Sequence, residues 1–96
     1  MIYPTWKGIP IIGYTENAEK EMENLGIYTI QLEDLLEKSF PCERSKRRRG
    51  INERCIKRKN KILKIVLEEM VSRKSGNNYW RIRHVGIFTL KKKRFR

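Results

Sequence analysis

The chain has 96 residues, 39% hydrophobic and 35% charged, with a formal net charge of +12. That length holds one domain, and the apolar share supports a modest core and excludes a wholly disordered polycation. No apolar run approaches the roughly 20 residues of a membrane span.

The charge is unevenly placed. Residues 1–40 carry three lysines against seven carboxylates, a net of −4, whereas residues 41–96 carry twenty Lys and Arg against four carboxylates, a net of +16. Crowding like charge into one half costs self-repulsion, which a phosphate backbone relieves while counterions are released. A charge-rich surface of the thermophile kind would balance its signs in ion-pair networks. The imbalance therefore points to a nucleic acid ahead of an acidic protein or an anionic membrane. The start MIYPTWKGIP lacks the long apolar core of a signal peptide, so the cytoplasm is the expected location.

In chain order, Pro10 to Tyr14 reads as a short strand, and Thr15 suits a helix N-cap with carboxylates following. Ala18, Met22 and Leu25 recur at helical spacing, and Gly26 stands where a left-handed C-cap belongs. This assigns Glu16, Glu19, Lys20, Glu21 and Glu23 to the solvent side. Thr29 is a second N-cap candidate, followed by Leu32, Leu35 and Leu36, with Pro41 closing the segment. Two acidic helices joined by a very short connection are predicted, serving as scaffold.

Residues 44–50, RSKRRRG, contain no apolar side chain and read as a loop. In residues 52–72 two periodicities compete: Leu63, Ile65, Leu67 and Val71 alternate as in a strand, while Ile62, Val66 and Met70 fall at i, i+4 and i+8. The polar break Arg58-Lys59-Asn60-Lys61, the frequent Ile and Val, and the turn signal Ser75 to Asn78 favour strands and two hairpins. A last strand over Tyr79 to Leu90 would set Trp80, Ile82, Phe88 and Leu90 on one face and Tyr79, Arg81 and Arg83 on the other. The predicted fold class is α+β, in the order βααβββ, with a three-stranded antiparallel sheet. Residues 1–90 form one domain, and residues 91–96, KKKRFR, a basic tail.

Walker, dinucleotide-turn and HExxH signatures are absent. Cys42 and Cys55 are isolated, with one histidine in the chain, so neither a metal nor a cofactor is expected. In a reducing compartment the two cysteines are expected as thiols of structural role, with a disulfide as the alternative. What remains is a metal-independent phosphate site on a sheet. Tyr79, Arg81, Arg83 and His84 are the candidate catalytic residues. Strict alternation points His84 inward with Trp80 and Ile82, and a bulge would reverse it. Arg44, Lys46, Arg47, Arg48, Arg49, Arg58, Lys59, Lys61, Lys91, Lys92 and Lys93 are the candidate nucleic-acid contacts. Trp6 is either a packing anchor or a stacking platform.

The order of elements, with a basic and aromatic last strand, resembles the small toxins of the RelE/ParE superfamily. The nearest group is the BrnT type, whose first helix reads H-A-x-x-R-M-x-x-R-G-I. Residues Asn17 to Ile27 keep its Ala18, Met22, Gly26 and Ile27, but carry Asn17 for the His, Glu21 for the first Arg and Leu25 for the second. The resemblance implies a sheet face that enters RNA or the ribosome, an endoribonuclease activity, and an acidic antitoxin as partner. A homodimer joining acidic helices to a neighbour's basic face is a further expectation. The competing reading is a winged-helix DNA-binding protein with a recognition helix in residues 52–72. Circular dichroism separates the two: a clear sheet signal with about a quarter helix fits the first, and helix near half of the chain fits the second.

Overall fold

The computed structural model describes residues 3–42 and 50–89. Two short strands open it, β1 (Thr5–Trp6) and β2 (Ile9–Tyr14). Lys7 and Gly8, both at positive φ (55° and 75°), turn the chain between them, as a two-residue hairpin loop requires. Helix α1 (Glu16–Leu25) follows, then a 3-10 turn at Thr29–Gln31 that leads into α2 (Leu32–Glu37). The remaining strands are β3 (Phe40–Pro41), β4 (Ile51–Arg58), β5 (Lys61–Val71) and β6 (Asn78–Thr89).

The six strands make one mixed sheet in the order β1-β2-β6-β5-β4-β3. This corrects the βααβββ expectation of a three-stranded antiparallel sheet: strand is the dominant structure, and the helices are two short pieces. Two causes account for the difference. Strand β2 pairs parallel to β6, with Ile11 opposite Trp80 and Tyr14 opposite Ile82, a partner 69 residues away that local periodicity does not reveal. The two-residue strands β1 and β3 each extend an edge by antiparallel pairing. Residues 52–58 and 61–71 are strands, joined by a turn at residues 59–60, which leaves no recognition helix there.

Helix α1 obeys its local signals. The Thr15 hydroxyl accepts from the Ala18 N–H at 3.1 Å, and Gly26 takes the left-handed C-cap conformation at φ 69°. Thr29, by contrast, lies inside the 3-10 turn. The Gln31 side chain caps that turn, accepting from the Tyr28 N–H at 2.7 Å.

Strand β5 explains why two periodicities fitted one sequence. Leu63, Ile65 and Leu67 are wholly buried beneath the helices, while Ile62, Val66 and Met70 line the opposite face in register with Phe88, His84 and Tyr79. A central strand that is apolar on both faces lacks the clean alternation of a half-solvated one. Val71, expected with the core set, is 60% exposed.

Trp6 is a packing anchor. It is buried against Trp80, ring centroids 5.1 Å apart, and its carbonyl accepts from the Trp80 indole N–H at 3.0 Å. The Arg54 guanidinium covers the Trp6 ring at 5.1 Å and donates to the Ser39 hydroxyl and carbonyl, both at 2.8 Å. Cys42 and Cys55 form a disulfide, with Cα atoms 5.3 Å apart. The expectation of two thiols fails because β3 pairs with β4, Phe40 opposite Cys55, and so brings Cys42 beside its partner.

Strand β6 contains the decisive irregularity. Val66 pairs with His84 but Leu67 pairs with Ile82, so Arg83 is an extra residue, a β-bulge. Beyond it the alternation is inverted: Val85 is buried, whereas Phe88, expected on the core face, is 50% exposed and pairs with Ile62 on the other side. Leu90 lies outside the described residues.

Thr15 ties the bulge to α1. Its backbone N–H donates to the Ile82 carbonyl and its hydroxyl to the Arg83 carbonyl, both at 2.9 Å. One hydroxyl thus serves as helix cap and bulge anchor. Thr15→Val, which keeps the shape and the backbone bond but removes the hydroxyl's bonds to Ala18 and Arg83, should lower stability by about 1–2 kcal/mol in urea unfolding, while Thr15→Ser should restore most of it.

Candidate functional site

The bulge decides where His84 goes. With Arg83 inserted, Ile82 and Val85 both remain in the core, and Arg83 and His84 both reach solvent. The His84 Nδ1 lies 2.9 Å from Glu21 Oε2, with the histidine side chain 50% exposed. The other oxygen of Glu21 accepts from the Val85 N–H at 2.9 Å. Both carboxylate oxygens are therefore engaged, one by backbone and one by the ring, which fixes the plane of the imidazole and leaves Nε2 for another partner.

Gly86 makes room for that ring. A Cβ at position 86 would stand 3.1 Å from His84 Nε2, closer than an ordinary van der Waals contact, so a side chain there would push the imidazole aside. The ring thus lies over the backbone of its own strand.

Glu21 is the residue the sequence reading missed. It was assigned to the solvent side, yet its carboxylate reaches the edge of β6. The available signal was its position three residues after Ala18 and beside Met22, on the border of the buried stripe. The same position is the one at which the BrnT-type motif has its first Arg.

Arg81 and Arg83 share this sheet face but are not idle cations. Arg81 Nη2 is 3.0 Å from Glu68 Oε1, and Arg83 Nη1 is 3.9 Å from Glu68 Oε2. Directly across the sheet, Lys64 pairs with Glu53 at 2.8 Å. Tyr79 lies opposite Met70, toward the β5–β6 turn and away from His84. The fold therefore groups Arg81, Arg83 and His84, with Tyr79 at a distance along the strand.

Around this balanced patch the unpaired charge lies at the sheet's ends. Among the described residues, Lys57, Arg58, Lys59 and Lys61 are exposed at the β4–β5 end with no carboxylate in ion-pair range. Lys61 pairs with Thr89, the last described residue, two positions before the basic tail. Lys91, Lys92 and Lys93 lie outside the described residues, as do Arg44, Lys46, Arg47, Arg48 and Arg49. The segment holding the latter five joins the sheet next to Gly50, whose carbonyl accepts from the Glu69 N–H at 2.7 Å. That is the opposite end of the eight-residue β4 from Arg58, about 25 Å away.

Among the described residues no group of His, Cys, Asp and Glu could hold a metal ion, and no helix is long and apolar enough to cross a membrane. No protein-family model, curated protein or solved structure matches this chain.

A second titratable group lies on the helix side. Burial pushes the Tyr14 phenol above its ordinary 10.0; the Thr29 hydroxyl opposes this and the charge of Glu19 adds to it. Below pH 10 the phenol is protonated whether the chain is folded or not, so its contribution is constant there. Above that the unfolded chain ionises first, and stability falls as pH rises toward the folded value. Tyr14→Phe should flatten this alkaline loss, measured as urea midpoints across about pH 9 to 11.

Proposed function

We propose that this chain binds RNA and cleaves it without a metal, with His84 as the general base. The observation that carries the reading is the contact of His84 with Glu21, which holds a half-exposed imidazole by one nitrogen and leaves the other, Nε2, above Gly86 without a hydrogen-bond partner among the described residues. A strand histidine with only a packing role would need neither the bulge nor the carboxylate.

In the proposed step, Nε2 takes the proton of a ribose 2′-hydroxyl, the 2′-oxygen bonds to the adjacent phosphorus, and the bond from phosphorus to the 5′-oxygen breaks. The departing oxygen takes a proton from water. Arg83, held to Glu68 only at 3.9 Å, can turn to the phosphate, and Arg81 stands behind it. Both would stabilise charge growing on the phosphoryl oxygens. DNA lacks the attacking hydroxyl, which makes RNA the substrate. Lys57, Arg58, Lys59 and Lys61, with the clusters at 44–49 and 91–93, supply the sequence-independent affinity.

Kinship with the BrnT-type branch of the RelE/ParE superfamily, and with it an acidic antitoxin partner, belongs to the same proposal. Ala18, Met22, Gly26 and Ile27 support it, while Glu21 in place of the first Arg gives the site a different chemistry. The cytoplasm is the compartment this activity needs, and there the Cys42–Cys55 disulfide would be open to reduction.

Two variants test the site. His84→Ala should lower cleavage of a single-stranded RNA by about 10²–10⁴ while filter-binding affinity stays near the parent's, and Glu21→Gln should give a smaller loss of the same kind. Equal cleavage by parent and His84→Ala would sink the assignment. The triple change Lys57→Ala, Arg58→Ala, Lys61→Ala should instead weaken binding and reduce the slope of log affinity against log salt by about 2.

A further inference from the structure

The molecule exposes two apolar patches whose rims carry opposite charge. On the helix side, Tyr3, Tyr28 and Ile30 are 42%, 69% and 84% exposed. Tyr3, Pro4, Thr29, Ile30 and Glu33 line a shallow groove there, and the adjoining hollow contains Glu19 and Glu23. Among the described residues, Glu19, Glu23 and Glu33 have no cation in ion-pair range, whereas Glu16 and Asp34 are satisfied by Lys20 and Lys38. An Ile exposed to this degree inside an acidic rim has no role in the core.

At the β4–β5 end the signs are reversed. Ile87 and Phe88 are 38% and 50% exposed, on opposite faces of the sheet, Ile87 opposite Leu63 and Phe88 opposite Ile62. On one face Phe88 lies across Ile62 from Lys57, and on the other Lys61, opposite Thr89, shares the side of Ile87. The end of the sheet thus carries an exposed apolar side chain on each face with a lysine near it.

The two patches cannot meet within one molecule. Pro4 is tied by its carbonyl to the Ile11 N–H at 2.8 Å, and Ile11 pairs with Trp80. Phe88 stands eight residues further along the same strand, about 27 Å away at strand rise. A continuous strand does not fold back on itself over that distance.

We propose that the acidic groove at Tyr28 and Ile30 receives the basic β4–β5 end of a second copy of this chain, giving a head-to-tail association between unlike surfaces. Charge complementarity selects the occupant, since the chain itself carries the matching basic, apolar surface. An interface of this type uses different residues on its two sides, so addition of further copies is not limited at two. The lysines that enter the groove are those assigned above to phosphate. On the RNA-binding reading, an assembled molecule has that end covered, and RNA competes with assembly.

Sedimentation velocity on the full chain tests this. At about 50 mM salt the average mass should rise with protein concentration, and at about 500 mM, where the screening length is about 4 Å, it should fall to the monomer. Ile30→Lys blocks the groove, and the double change Lys57→Glu, Lys61→Glu blocks the basic end; all three positions are exposed, and circular dichroism checks that each variant is folded. Each variant alone should remain monomeric. Their equimolar mixture should form a dimer and stop there, because the groove variant retains a good basic end and the end variant a good groove.

A parent that stays monomeric at low salt, assembly that survives high salt, or a mixture that fails to pair would each overturn the proposal. A single-stranded RNA oligonucleotide added to the parent should dissolve the assembly. RNA that binds while the assembly persists overturns the shared use of that end. RNA that does not bind at all overturns the RNA reading and leaves the assembly result intact.

Discussion

One irregular residue in β6 governs the rest of the molecule. Arg83 is inserted opposite a single position of β5, and the strand edge there has backbone groups that no neighbouring strand satisfies, because β2 has already left the sheet to become α1. The chain supplies the missing partners from that helix: Thr15 for the carbonyls of Ile82 and Arg83, Glu21 for the N–H of Val85. Unpaired backbone groups in a part-buried edge are costly, so these contacts are a condition of the bulge. Without it, His84 would point into the core and Val85 out of it. The same substitution of contacts seats α1 on the sheet, so helix position, core composition and site geometry depend on a single feature.

The charge of the chain divides into cations that build the fold and cations left for a partner. Arg54 covers Trp6 and grips Ser39, Lys64 pairs with Glu53, and Arg81 and Arg83 share Glu68. Glu53 and Glu68 offset the repulsion locally and make the centre of the exposed sheet face close to neutral. Among the described residues the surplus lies at the ends of the strands. A polyanion would thus be held at its flanks and meet His84 in a less charged middle, where binding does not require stripping several cations from their carboxylates. The acidic helices lie behind this face and discourage approach from the other side.

The helix α1 could be read from its own residues because its determinants are local: a hydroxyl at Thr15, a stripe through Ala18 and Met22, and a glycine at position 26. The hairpin between β4 and β5 was also legible, from Arg58 to Lys61. Less was visible at Thr29, where a polar side chain at a plausible cap position lies within a 3-10 turn stabilised by Gln31. Of the candidate site, Arg81, Arg83 and His84 were identifiable as residue types on one strand, but their arrangement was not. Alternation assumes an unbroken pleat, and a single inserted residue changes the face of everything after it. Glu21 was missed for a related reason: helical periodicity places it at the border of the buried stripe, and only the edge of a distant strand gives it a partner.

By itself the sequence determined the segments and their chemistry: an acidic helical part, a basic strand-rich part, and an imidazole in a strand with two guanidiniums. Those properties follow from composition and from spacings of a few residues, over which the backbone geometry repeats. The tertiary structure alone decided that β2 pairs parallel to β6, that β3 brings Cys42 to Cys55, and that the bulge turns His84 outward onto Glu21. Each of these joins residues between 13 and 69 positions apart. Such contacts are selected by which unpaired edges and buried surfaces remain once the whole chain has packed, and no local pattern in the sequence encodes them.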